Sequence, residues 1–446
     1  MPGPGESAET AAGGERPAPE ARGDARGPRG LAGWWERNRL GRPFWVFLAV
    51  SCLFNFGMFM FVLLYNLYLL DRGYREDFLG WVASFSTVGN IAGTFLAVAL
   101  NRRVGLRHTV MICFACGALV SAARSLVEGQ PALLGLAFCA GLFFAVWAIS
   151  IAVIIAQVTT TEQRPLAFSV YLAAVIGIGV VADPLGGRLP AWLGEAFGAA
   201  TPAQAKQWAL LCGCTLILTA LWPLSRLRFR HTQEAAPASY PRSPFMLRFL
   251  AAVAVMTMAT AAFNPFANAY FSRELKMPVQ DIGLVFSAGQ LAQVAAILVS
   301  PLILRWVGLV WGVALMEVAA ALSLLFLASG PPGVAAAIGF AGFMAFQWMD
   351  EPAMESLLMT RVRPHERSGA ASLMYLTIYT SSAVAAPTAG AGLARLGYAT
   401  VMSVAALLLL TGGLMFGFLL RRYEVDTAGA DDPRNGGSVP GALATG

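Results

Sequence analysis

The chain reads as an all-α polytopic membrane protein, with twelve transmembrane helices in two pseudo-symmetric six-helix bundles. Three observations predict this. Hydrophobic residues make up 57% of the 446 and charged residues only 13%, with a mean hydropathy of +0.62, outside the range of most water-soluble globular chains. Apolar segments long enough to cross a bilayer recur along the sequence. The second half repeats motifs of the first at a near-constant offset.

Taken in order, residues 1 to about 33 are rich in Pro, Gly, Ala, Glu and Arg and contain no apolar run. This predicts a disordered tail and not a secretory signal, whose apolar core is missing. Trp34 and Trp35, followed by Arg37, Arg39 and Arg42, read as an interfacial anchor, so 1–42 forms an N-terminal tail. Spans follow at approximately 43–70, 78–100, 108–126, 131–157, 166–194, 207–225, 246–271, 281–304, 309–328, 334–360, 369–394 and 399–420. The longest polar interruption, Ser225 to Phe245, comes after the sixth span. The expected bundles are therefore 43–225 and 246–422, joined by a cytoplasmic linker at 226–245, with a disordered polar tail at 423–446.

The basic residues lie between spans, so the net charge of +6 reports topology and not a nucleic-acid surface. Near the span ends, 18 basic residues fall on the side shared by the termini. Eight fall opposite: Arg72, Arg75, Arg124, Arg188, Lys206, Arg273, Lys276 and Arg395. That excess places both termini in the cytoplasm of a multi-pass protein of the cell inner membrane. Cys113 and Cys116 have CxxC spacing, but no second pair accompanies them, and His108, His231 and His365 lie in loops or at span ends. No metal or other cofactor is expected. With no Ser/His/Asp cluster in the spans the chain does not read as an enzyme, and no catalytic residue is assigned. With no Walker-type loop, ATP is not the energy source.

The internal repeat is explicit. Asn66-Leu67-Tyr68 recurs as Asn268-Ala269-Tyr270, and Leu79 to Ser84 recurs as Ile282 to Ser287. Arg103-Val104-Gly105 matches Trp306-Val307-Gly308, Arg164 matches Arg367, and Pro184 to Gly187 matches Pro387 to Gly390. Ordered matches at one spacing indicate a duplicated six-helix unit.

The stretch from Gln347 to Glu355 carries the chemistry. It sets Asp350, Glu351, Pro352 and Glu355 inside an otherwise apolar span. Asp350 and Glu351 fall about 5 Å from the bilayer centre, where an ionised carboxylate costs several kcal/mol unless it faces a partner or a wet cavity. Withdrawal from water favours the neutral form of a carboxyl group, so such a group can take up and release a proton as a cavity changes sides. Asp350, Glu351 and Glu355 are the expected proton-coupling residues, with Asp183 near the outer end of span 5 as a fourth. Glu351 and Glu355 share a helix face, from which Asp350 is turned by about 100°. The plainer alternatives are a latch from Glu355 to Arg102, Arg305 or Arg367, and a local pair of Asp183 with Arg188. Glu317, in span 9, reads as one member of an interhelical pair. Asn55, Asn264, Asn268, Gln290, Gln347, Tyr375 and Tyr379 are candidate substrate contacts, each weighed against simple interhelical bonding. Trp147 faces Asp350 in the repeat register and joins them.

Twelve spans, six-plus-six duplication and a basic, glycine-containing turn after spans 2 and 8 resemble the major facilitator superfamily over roughly residues 40 to 422. Where that family has an acidic residue and then Arg-x-Gly-Arg-Arg, this chain has Asn101-Arg102-Arg103-Val104-Gly105-Leu106-Arg107, and Arg305 takes the equivalent place in the second half. The resemblance implies gating by Arg102, Arg103, Gly105, Arg305 and Arg367, with Pro352 as a hinge. Gly179 to Gly187 is similar to the antiporter signature of the drug-export branch, with Asp183 where the signature has Gly. The resemblance also implies a cavity lined by spans 1, 4, 7 and 10 and transport by alternating access. The expected function is proton-coupled export of amphipathic or cationic small molecules by a monomer, because the central spans carry carboxylates without a matching central Lys or Arg. The alternatives are uptake of a polar metabolite such as a sugar, nucleoside or peptide, and a transport-inactive receptor or scaffold.

Overall fold

Long runs of Leu, Val, Ala and Phe have one economical backbone solution in an apolar medium, the helix, which bonds every N–H and C=O internally. The computed structural model describes residues 40–160, 162–227, 229 and 239–424, and among them there is helix and no strand. The Trp34-Trp35 anchor with Arg37 and Arg39, most of both tails and the centre of the 226–245 linker lie outside the described residues.

The helices are α1 Arg42–Asp71, α2 Glu76–Leu126, α3 Gln130–Val158, α4 Arg164–Phe197, α5 Pro202–Thr219, α6 Leu221–Leu224 and α7 Pro244–Ala261. After a 3-10 turn at Asn264–Phe266 follow α8 Ala267–Arg273, α9 Val279–Val307, α10 Leu309–Ala328, α11 Gly333–Met349, α12 Glu351–Arg361, α13 Arg367–Leu396 and α14 Tyr398–Leu420. Proline occupies the first turn of α1, α3, α4, α5 and α7, where its missing N–H leaves no bond unmade. Thr201 and Ser243 cap α5 and α7 by accepting from Gln204 N and Met246 N.

Nine helical stretches among the described residues are long and apolar enough to cross a membrane. Three expected boundaries differ. Spans 2 and 3 form one 51-residue element, α2, bent at Gly105, where φ 78° and ψ 159° suit only glycine. The repeat equivalent, Gly308 (φ 87°, ψ 170°), separates α9 from α10 completely. The expected tenth span is interrupted at Asp350 into α11 and α12, because Pro352 cannot donate to the carbonyl one turn back. The seventh breaks at Asn264-Pro265 for the same reason.

Apolar side chains form three principal clusters. One draws only on residues 40–227 and includes Phe44, Phe47, Phe54, Phe114 and Trp147. A second draws only on residues 245–420, including Phe249, Leu357 and Phe416. The third joins both halves at the end away from the start of α1 and the end of α14, through Tyr68, Tyr270, Phe271, Leu393 and Tyr398. Large apolar side chains such as Phe95, Leu247, Leu298 and Trp306 remain exposed, as expected of a surface solvated by lipid.

The repeat is visible in the bonding. Tyr68 Oη donates to Ser125 O at 2.7 Å, and Tyr270 Oη donates to Leu327 O at 2.6 Å, both across a sequence separation of 57. Ser84 Oγ donates to Ala383 O at 2.6 Å, and its repeat partner Ser287 Oγ donates to Val180 O at 2.8 Å. Glycines allow these crossings. A Cβ on Gly80 would lie 2.9 Å from Pro387 Cα, and one on Gly283 would lie 3.2 Å from Pro184 Cα.

Candidate functional site: a two-lobed central cavity

Between the halves lies a cavity with two lobes that share Ala83, Thr87, Asn264 and Pro265. The larger lobe, about 450 Å³, is lined by α2, the broken α7–α8 segment, α10, α11, α12 and α13. The smaller, about 300 Å³, is lined by α1, α2, α3, the same α7–α8 break and α9.

The larger lobe is acidic. Glu317, Asp350, Glu351 and Glu355 line it, and no Lys, Arg or His does so. Its geometry follows from the break at Asp350. Pro352 begins α12, and the Met349 carbonyl, released by the break, accepts from Ser300 Oγ of α9 at 2.8 Å. The chain then restarts with Met354 N donating to Asp350 O at 2.9 Å. The Asp350 side chain turns towards α10 and is in hydrogen-bonding contact with Glu317, both groups being 2–3% exposed. A bond between two carboxyl groups requires a proton on one of them. Glu355 accepts from Tyr375 Oη of α13 at 3.3 Å, and Tyr379 stands one turn on from Tyr375. Gln347 Oε1 and Trp348 Nε1 line the same lobe and have no hydrogen-bond partner.

The broken α7–α8 segment supplies the junction. Its Pro265 carbonyl accepts from Asn66 Nδ2 at 2.6 Å, and Asn268 Nδ2 donates to the Leu63 carbonyl at 2.8 Å, so two amides bridge the halves beneath the cavity.

Of the expected residues, Asp350, Glu351, Glu355, Gln347, Tyr375, Tyr379 and Asn264 come together in the acidic lobe. Asn268 lines the other. Trp147 lies elsewhere. It is packed at 5.0 Å from Phe114 and 5.6 Å from Phe54 and is 3% exposed, because α3 turns that face into the core of its own half. Asn55 Nδ2 donates within its helix to Ser51 O. Asp183 and Gln290 bond to one another across α4 and α9, and Gln290, not Arg188, is the partner of Asp183. Arg102, Arg103, Arg305 and Arg367 are exposed, and none of them lines either lobe. Sequence reasoning assigned Glu317 to a supporting helix, yet it is half of the most buried acidic pair. It also counted Arg124 among loop charges, but Arg124 is 7% exposed and lines the smaller lobe. A buried arginine two residues before a helix end leaves only its position as a signal.

The fold has solved counterparts. The nucleoside transporter NupG superposes with a TM-score of 0.69 at 14% identity, covering 85% of this chain and 100% of that one. A bacterial homologue of the human lysosomal transporter Spinster, inward-facing and unoccupied, gives 0.68 at 12%, covering 86% and 98%. A D-xylose-proton symporter gives 0.60 at 14%, covering 82% and 96%. No protein of curated function matches the sequence. The sequence matches the Major Facilitator Superfamily over residues 46–250 and again over 249–441, and the chain belongs to that superfamily.

Proposed function

We propose that the protein is a proton-coupled secondary transporter that moves amphipathic or cationic small molecules by alternating access, with export as its direction. The observation that carries this is the acidic lobe: four carboxyl groups around one cavity, two of them side by side at a helix break. A cationic solute entering the lobe would be favoured by ionised carboxylates, so solute and proton compete for the same charge, which is the elementary requirement of exchange. The reading includes twelve crossings, with the Gly105 bend dividing α2 into two and with α11–α12 and α13 each counted as one. It also includes a monomer in the inner membrane with cytoplasmic termini. The end where Tyr68, Tyr270 and Tyr398 pack would then face outwards. Export rests on the similarity of Gly179 to Gly187 to an antiporter signature. Uptake of a polar metabolite is the second reading, favoured by the amide-rich junction of Asn66, Asn264 and Asn268.

The test is proton movement in reconstituted vesicles carrying a pH dye, with cationic, neutral and anionic compounds. The expected result is proton release by cationic compounds with the native protein and none with Asp350→Asn/Glu351→Gln. Movement of neutral metabolites without proton flux, unchanged in the double variant, would replace export by facilitated uptake.

A further inference from the structure

The smaller lobe has the opposite character. Arg124 is its one charged lining residue, and no Asp or Glu lines it. The side chain leaves α2 two residues before its end, is 7% exposed, and lies with its guanidinium carbon 4.0 Å from the centroid of the Tyr65 ring and 5.4 Å from that of Phe61. Its Nε has no hydrogen-bond partner, and neither has Tyr65 Oη beside it. Two acids at this end of the half are matched by other cations: Asp71 pairs with Lys206 and Glu128 with Arg72. The layer beyond Arg124 is closed, since the Ser125 carbonyl accepts from both Tyr68 Oη and Gln207 Nε2.

A buried cation without a counter-charge is costly, and inside a membrane such a group marks a ligand or ion route. Stacking on Tyr65 fixes the guanidinium plane, and its Nε is left without a protein acceptor, a donor that an oxygen of a carboxylate, phosphate or sulfonate would satisfy. The lobe adjoins the acidic one, with Thr87 and Asn264 lining both.

We infer that the Arg124 lobe is an anion subsite, and that the transported molecule is bipolar, with an anionic oxygen group at Arg124 and a cationic portion in the acidic lobe. This rests on the transport reading of the acidic lobe and narrows its cargo from cationic to zwitterionic.

The test needs no knowledge of the substrate. Cysteines are placed singly at Val62, in the Arg124 lobe, and at Met354, in the acidic lobe. Each full-length variant is treated with the anionic sulfonatoethyl and the cationic trimethylammonioethyl methanethiosulfonates, with labelling at each site read by peptide mass spectrometry. Rates are normalised to a free thiol. At Val62→Cys the sulfonate should react at least about tenfold faster than the ammonium reagent, as expected of one uncompensated charge in a partly dry cavity. Its rate should also saturate with concentration, because it binds before it reacts. Adding Arg124→Gln should abolish both the preference and the saturation, while Arg124→Lys should retain the preference. Met354→Cys should prefer the ammonium reagent whether or not Arg124 is present. A linear sulfonate rate at Val62→Cys, or a preference that survives Arg124→Gln, overturns the anion subsite. Loss of the ammonium preference at Met354→Cys with the Val62→Cys results intact overturns the acidic-lobe reading and leaves the anion subsite standing.

Discussion

Asp350 and Glu317 show how a buried polar pair divides between stability and function. Each is the other's neighbour in a site with almost no exposure, where two ionised carboxylates would repel one another. Asp350→Leu should destabilise the protein by about 1–3 kcal/mol, because it leaves the Glu317 carboxyl buried without a partner. Asp350→Asn preserves a hydrogen-bonding partner and should melt close to the native protein while losing solute-driven proton release. Thermal unfolding of the detergent-solubilised variants, beside the vesicle assay, separates the two effects. Equal melting of both variants would mean that the pair contributes nothing to the fold. The stretch Gln347 to Glu355 was legible in the sequence because three acids interrupt an apolar run. Its partner Glu317 was not, because a single acid in span 9 looks the same whether it meets an acid or a base.

At the scale of elements, the helix breaks at Asn264-Pro265 and Asp350 stand beside a proline and those at Gly105 and Gly308 at a positive-φ glycine. Pro184, Pro190, Pro301 and Pro387, by contrast, lie within continuous helices. Gly105 and Gly308 occupy the same repeat position and both lie in the region that side chains avoid. Gly105→Ala and Gly308→Ala should each lower stability by about 1–3 kcal/mol, the usual strain of such a conformation. Gly177→Ala, in α4 with open space around its Cβ, should not. Equal melting of all three would show that neither turn is strained. The breaks at Asn264-Pro265 and Asp350 leave carbonyls that other helices satisfy, Pro265 by Asn66 and Met349 by Ser300. Pro352 was readable as a bend. Which side chain would bond the liberated carbonyl was not, because Ser300 is 49 residues away in sequence and meets Met349 only through packing.

At the scale of the molecule, the halves touch through repeated contacts of Gly80 with the Ala386-Pro387 backbone and of Gly283 with the Asp183-Pro184 backbone. These contacts lie beside Leu79, Ile282 and Ala389 in the cluster that joins the halves, and on the alternating-access reading they seal that end. A disulfide between Ser84→Cys and Ala383→Cys, whose native side-chain oxygen and carbonyl lie 2.6 Å apart, should hold that end shut and abolish transport until a reductant is added. The pseudo-symmetric pair Ser287→Cys with Val180→Cys should behave in the same way. Full transport in the oxidised state of both would mean that this end does not open during the cycle. Separately, Gly80→Val should disfavour the closed end by about 1–3 kcal/mol, because its side chain meets backbone that cannot rotate away. The readout is faster labelling, from the closed side, of a cysteine at Val62.

Hydropathy and the repeat determined by themselves that the chain is a helical membrane protein built on a duplicated unit, because the need to bond every backbone group in lipid leaves a sequence of this composition few other solutions. The sequence also located the acidic stretch, since charge inside an apolar run stands out wherever it packs. Only the tertiary structure decided which faces turn inwards. It moved Trp147 from the expected cavity wall into a core, drew Glu317 from a support helix to Asp350, and carried Arg124 from an expected loop charge to the floor of a second lobe. The physical reason is that these outcomes depend on helix rotation and on contacts between segments dozens to hundreds of residues apart. A helix hydrophobic on nearly all sides does not encode that rotation in its own pattern.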